Sequence, residues 1–183
     1  MPALPLPDPP LTDGDITLRP WREDDATALT ALCQDDAIVR WTSLPAGYTE
    51  PMARARVSEA EAERRAGRAL ILAVVDADTD EVLGACDLRV TPGETPHAEV
   101  GYMLGAHARG QGVMIRAVRL ISYWAINQVG VERVVILTHP ENHASRAVAE
   151  GAGFKRDGVL RRYRMKKGSR EDRTVFSMHA AKR

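Results

Sequence analysis

The sequence predicts an α/β (α+β) fold, on three observations. Apolar segments follow one another in the order β-α-α-β-β-β-α-β-α-β-β. A glycine-rich turn, Arg109-Gly110-Gln111-Gly112-Val113-Met114, joins a strand-like run at 98–104 to a helix-like run from Val113 to about Gln128. The chain has 183 residues, which suits one domain with a sizeable core.

Taken in order, Ile16, Leu18 and Pro20 alternate with polar neighbours and form a first strand. Asp24 or Asp25 is placed to cap a helix that reaches about Cys33, with Ala28, Leu29 and Leu32 as its apolar stripe. Residues 38–48 are mixed in character and hold Trp41. Thr49 caps a further helix and Pro51 stands in its first turn; the helix runs to about Ala66 and stops at Gly67. Its charged face (Arg54, Arg56, Glu59, Glu61, Glu63, Arg64, Arg65) reads as solvated. Strands at 69–75 and 82–90 flank an acidic turn at 76–81, and 91–96 make the next turn. Beyond the glycine turn, Val113, Ala117, Leu120, Ile121 and Trp124 recur at helical spacing and belong to the core. A buried strand is expected at 133–137 and a helix from about His143 to Gly151. Segments 154–165 and 173–179 form a last hairpin around Lys167-Gly168-Ser169. Residues 1–14 are expected to be a flexible proline-rich arm, and 15–183 a single domain.

Composition narrows the function classes. Basic and acidic residues balance at 25 each, so neither nucleic acid nor an acidic membrane is the default partner. Cys33 and Cys86 are far apart, lack metal-binding spacing and read as buried, reduced thiols. No metal site is expected. There is no run of about 18 apolar residues, and residues 1–10 make a poor signal peptide. The cytoplasm is the expected location.

The glycine turn carries the chemistry. A helix N-terminus offers unpaired N–H groups and roughly half a positive charge. Gly110 and Gly112 leave room for a phosphate and accept positive φ. The dinucleotide pattern G-x-G-x-x-G fails, because its sixth position is Ile115; no Lys-Ser/Thr follows for an ATP-type loop. The pattern present, R-x-x-G-x-M, resembles the acyl-CoA loop of the GNAT N-acyltransferase superfamily. A second segment follows at the expected distance. The strand Val134-Val135-Ile136-Leu137 runs into Pro140-Glu141-Asn142-His143-Ala144-Ser145, and Gly153-Phe154 closes the following helix. It is similar to the GNAT pattern P-E-N-x-A-S ending in G-F. The helix lacks the tyrosine of many relatives, so the chain resembles the RimJ/RimL branch of ribosomal-protein N-terminal acetyltransferases, in which N-x-x-S stands there. Met114 departs from the usual Gly/Ala, as that branch tolerates.

The resemblance implies a mixed, mostly antiparallel sheet with helices on both faces and two splayed central strands, here 99–104 and 134–137. It implies an acetyltransferase: an amine attacks the thioester of acetyl-CoA (or another acyl-CoA, such as succinyl-CoA) in a ternary complex, and CoA thiolate leaves. Val100, Tyr102, Met103 and Leu104 would lie beside the pantetheine like an added strand. Arg109, Gly110, Gln111, Gly112, Val113 and Met114 would wrap the pyrophosphate, and Arg146 would reach a phosphate. Asn142 would bind a pantetheine amide, and Ser145 would hydrogen-bond the thiolate or donate a proton to it; both residues also suit a helix cap. Glu99 is the candidate general base, helped if burial raises its pKa. Its other reading is a charge facing solvent or paired with an arginine. His97 is a weaker candidate.

The acceptor groove would lie between the first two helices and the last hairpin, lined by Trp41, Tyr48, Tyr163, Arg40 and Arg164. Trp41 and Tyr48 also fit as ordinary core or rim aromatics. The acceptor is a protein N-terminal amine or a small amine of the polyamine or aminoglycoside kind. A succinyl group would need a cation such as Arg40 or Arg164. Two other classes stay open: a non-catalytic acyl-CoA sensor, and a partner-binding domain that kept only the fold. Homodimers are common in the group, with no direct sign of one here.

Overall fold

Seven consecutive apolar residues, Ala69 to Val75, are all buried. A strand with both sides apolar must be covered on both faces, and the computed structural model shows how. It describes residues 2–91, 97–166 and 168–181. Eight strands form one sheet: β1 (Leu11–Thr12), β2 (Ile16–Pro20), β3 (Ala69–Asp76), β4 (Val82–Thr91), β5 (His97–Leu104), β6 (Arg133–Thr138), β7 (Lys155–Lys166) and β8 (Ser169–His179). Their order is β1-β2-β3-β4-β5-β6-β8-β7. Only β5 and β6 pair in parallel. The mixed, mostly antiparallel sheet expected from sequence is observed.

Helices α1 (Ala26–Cys33), α2 (Asp36–Trp41), α3 (Glu50–Arg65), α4 (Val113–Trp124) and α5 (His143–Gly151) complete the fold. Alternation along β3 and β4 divides the core. Leu70, Leu72, Val74, Cys86 and Leu88 pack with Val113, Ala117 and Ile121 of α4. Ile71, Ala73, Val75 and Ala85 pack on the other face with Leu29 and Ala53 of α1 and α3. The apolar stripe of α4 is buried as its spacing predicts, and its last turn widens into a π-helix over Ala125–Val129. Among the described residues no helix is long and apolar enough to cross a membrane.

Three features differ from the sequence reading. The mixed segment opens with a short helix, α2, because the Asp35 carboxylate accepts the Ile38 N–H and caps it. Asp25 does not cap α1; its carboxylate is taken by Arg19. The proline-rich start, expected as a flexible arm, is docked at two points. Leu4 is buried and exchanges hydrogen bonds with Arg64, and Leu11 and Thr12 pair with β2. The expected turn at 91–96 lies outside the described residues from 92 onward, as does Lys167 of the hairpin turn.

Candidate active site

The site begins where a sheet comes apart. β5 and β6 pair only through His97, Ala98 and Glu99, against Arg133, Val134 and Val135. β5 continues to Leu104 and β6 to Thr138 without pairing further. Backbone groups of 100–104 therefore face a gap on that side, and unmet backbone groups demand a partner. The gap opens into a cavity of about 700 Å³, within the range of sites for small ligands and cofactors. The expected splay is thus present, and it starts just after Glu99.

One end of the cavity is the glycine turn. Gly110 and Gly112 have φ of 77° and 73°, the left-handed region that glycine occupies without cost. The first bond of α4 runs from Arg116 N–H to the Gly112 carbonyl at 3.1 Å. The N–H groups of Val113, Met114 and Ile115 precede it and have no acceptor within the helix. Gly110, Gly112, Val113, Met114 and Ile115 all line the cavity. The polar side chains of the turn are exposed and tied back to neighbouring groups, and Arg109 also lines the cavity. Arg109 pairs with Asp35 at 2.7 Å and donates to the Leu104 carbonyl. Gln111 donates to the His107 carbonyl and stays outside the cavity lining. The turn therefore presents the backbone N–H groups at the start of α4 to the cavity, while Arg109 fastens the turn to the junction of α1 and α2.

The far wall comes from α5. Asn142 Oδ1 accepts the Ser145 N–H at 3.1 Å, and both residues line the cavity. The cap reading is thereby realised without removing either from the gap. Tyr102 reaches across from β5: its hydroxyl lies 2.9 Å from both the carbonyl oxygen and Oγ of Ser145. Burial pushes the Tyr102 phenol well up from its ordinary value, only partly opposed by the Ser145 bond. Arg146 turns away; it donates to the Pro140 carbonyl and does not line the cavity.

At the other mouth lies Glu99. Both its oxygens accept from Arg164, at 2.9 and 3.0 Å, and its side chain keeps 28% of its exposure. The arginine-paired reading of Glu99 is the observed one, with the carboxylate partly buried. Trp41 lines the same mouth, stacked by Arg40 at 4.7 Å and tilted against His139 at 5.4 Å. Lys166 also lies over Trp41 and donates to the Arg40 carbonyl.

Three expected groove residues lie outside the cavity lining, Arg40 among them, since it stacks on Trp41 instead. Tyr48 is buried among α1 and α3 side chains and donates to the Met52 carbonyl at 3.3 Å, so it is core. Tyr163 is half-exposed on β7, outside the cavity lining. His97 is likewise outside it. Lys166, Arg173 and His139 also line the cavity; alternation does not place Lys166 and Arg173, because the β7–β8 pairing shifts register between Leu160 and Arg164, and His139 lies beyond the end of β6. Among the described residues no group of three His, Cys, Asp or Glu side chains is placed to hold a metal ion.

Comparison with known proteins follows the same lines. The family described as "Acetyltransferase (GNAT) domain" matches residues 15–155. The chain is 26% identical over 163 residues to "Uncharacterized N-acetyltransferase p20" of Bacillus licheniformis, spanning 89% of this chain and 92% of the relative. Among solved structures it superposes on Mycobacterium smegmatis RimJ in complex with CoA-disulfide, with a TM-score of 0.79 and 26% identity, covering 90% of this chain and 82% of that one. It also superposes on the microcin C7 self-immunity acetyltransferase MccE in complex with acetyl-CoA and AMP, with a TM-score of 0.84 and 22% identity, over 94% and 100% of the two chains.

Proposed function

This chain belongs to the GNAT acetyltransferase family, and we propose that it moves an acetyl group from acetyl-CoA to a primary amine by direct attack in a ternary complex. The observation that carries the proposal is the continuity of the gap after Glu99 with the N-terminus of α4. One cavity thus offers an anion site at one end, an unpaired strand edge along its length and an ion-paired carboxylate at its mouth. Such a cavity fits a long, pyrophosphate-bearing thioester. Bound there, acetyl-CoA supplies an activated acyl group.

Each residue then has a task. The N–H groups of Gly110 to Met114 hold the pyrophosphate at the positive end of α4. The unpaired edge of Val100, Tyr102 and Met103 holds the pantetheine as an added strand, beside Leu104, whose carbonyl Arg109 engages. Asn142 orients a pantetheine amide while capping α5. Ser145 donates a hydrogen bond to the sulfur as the C–S bond breaks. Glu99, aimed by Arg164, accepts the amine proton through water. The acceptor enters at the mouth lined by Trp41 and Glu99. We favour a protein N-terminal amine, because RimJ, one of the matched structures, bears the name of a ribosomal-protein acetyltransferase branch and, among the described residues, the cavity lining carries no cluster of carboxylates for a polycation.

Thermal-shift titration with CoA, acetyl-CoA and succinyl-CoA tests this. A ligand of the folded state stabilises it by about 2.7 kcal/mol at a hundred times its dissociation constant. Acetyl-CoA is expected to raise the melting midpoint; a larger rise with succinyl-CoA would change the acyl donor. Absence of a rise with all three would end the proposal. A second reading, an acyl-CoA sensor without turnover, is favoured by one observation: the Glu99 carboxylate is already engaged by Arg164. Binding without CoA release across a panel of N-terminal peptides and small amines would select it.

A further inference from the structure

Tyr102 lies in the site through its backbone, and its side chain also makes a hydroxyl-to-hydroxyl contact across the gap. The strand alternation that buries Val100 on the α4 face sends Tyr102 to the same face. There its oxygen meets both the carbonyl oxygen and Oγ of Ser145, each at 2.9 Å. A phenol and a serine hydroxyl carry one proton each, and a carbonyl only accepts. Two arrangements follow. If the phenol donates to the carbonyl, Ser145 Oγ–H must donate to Tyr102 and is spent. If the phenol donates to Oγ, the Ser145 proton is free to point into the cavity. The Ser145 backbone cannot adjust, because its N–H is held by Asn142. Only the two protons move.

We propose that Tyr102 is a positioning residue that switches the Ser145 O–H towards the sulfur of the leaving group. The proposal rests on the reading of Ser145 given under "Proposed function". As the C–N bond forms and the C–S bond breaks, sulfur keeps the electron pair and becomes an acceptor. The phenol then turns its proton from the carbonyl to Oγ, and Ser145 donates to the sulfur. No proton leaves the pair; the amine proton goes through water to Glu99 and solvent. A buried phenol suits this task, since it stays protonated across the working pH range and so always has a proton to donate. The chained hydroxyls also strengthen one another.

CoA itself is the probe, so no acceptor need be known. The bound thiol is titrated by its thiolate ultraviolet absorbance in the wild-type protein, Tyr102→Phe, Ser145→Ala and the double variant. A hydrogen bond from Ser145 favours thiolate, so bound CoA in the wild type is expected to ionise at lower pH. Ser145→Ala should lose this preference by about tenfold; Tyr102→Phe should lose part of it, because Oγ–H is no longer aimed and strengthened by the phenol, and the double variant should lose no more than Ser145→Ala. Wild-type behaviour in Tyr102→Phe, or losses that add, would overturn the proposal. A wild-type titration in Ser145→Ala would instead sink the Ser145 reading, and CoA that fails to bind the wild type would sink the cofactor reading. Should Tyr102→Phe not fold, Tyr102→3-fluorotyrosine preserves the shape and makes the phenol a stronger donor. It should move the bound thiol to still lower pH, and an unmoved titration counts against the proposal.

Discussion

Arg19 and Asp25 are enclosed to more than nine-tenths of their side chains. The guanidinium donates to both carboxylate oxygens at 2.8 and 3.0 Å, and the Arg22 N–H adds a third bond at 2.7 Å. Arg19 also reaches Asp80 in the β3–β4 turn. Removing one partner strands the other's charge, so Asp25→Ala should lose about 3–5 kcal/mol in denaturant titration; a loss below about 1 kcal/mol would show the pair to be solvated. Burial pushes the Asp25 carboxyl up, but Arg19 and the Arg22 N–H outweigh it and hold it below its ordinary 3.8. The unfolded chain therefore binds the proton more readily. The contribution is present above about pH 4 and lost as pH falls through the lower folded value. Acid unfolding of Asp25→Asn should be correspondingly shallower than that of wild type. None of this pairing was legible locally: Asp25 reads as a helix cap, and only the placement of β2 beside the α1 entry gives it Arg19. The same holds for Glu99 and Arg164, which are 65 residues apart, and for Tyr48, whose aromatic character suits a groove and a core equally.

Elements show where close approach matters. A Cβ on Gly84 would stand 2.4 Å from the Met103 carbonyl oxygen and 3.2 Å from Leu104 Cα. Backbone cannot yield as a side chain tip can, so Gly84→Ala should cost about 1–3 kcal/mol and weaken acetyl-CoA binding by shifting 103–104. Gly158→Ala is the control, since its Cβ meets nothing within 4 Å and it lies outside the cavity lining; its stability should stay within about 0.5 kcal/mol of wild type. Melting curves with and without acetyl-CoA check both, and equal effects would show that β4 does not set the position of β5. At the sheet's end, β7 is an exposed edge strand carrying Val159, Leu160, Tyr163 and Met165. Its arginines, lysines and register shift suit an edge kept from pairing with other chains. Replacing Arg156 and Arg161 by Val should leave melting nearly unchanged and promote concentration-dependent aggregation, read by light scattering. Elements with a full apolar period, α4 and β3 above all, were legible; α2 was not, because six residues hold less than two turns.

At the scale of the whole molecule, the chain places a helix N-terminus, an open strand edge and a hydroxyl pair in one cavity. Sequence alone determined what lies within a few residues: the positive-φ glycines at 110 and 112, the Asn142 cap of α5, the stripe of α4 and the strand periods. Those depend on local geometry and on burial of one face, both written in consecutive residues. Only the tertiary structure decided that β5 and β6 part after Glu99, that Tyr102 meets Ser145 43 positions away, that Leu4 is buried, and that Arg164 engages Glu99. Such contacts depend on the register and twist of every strand between the partners, which no local pattern specifies.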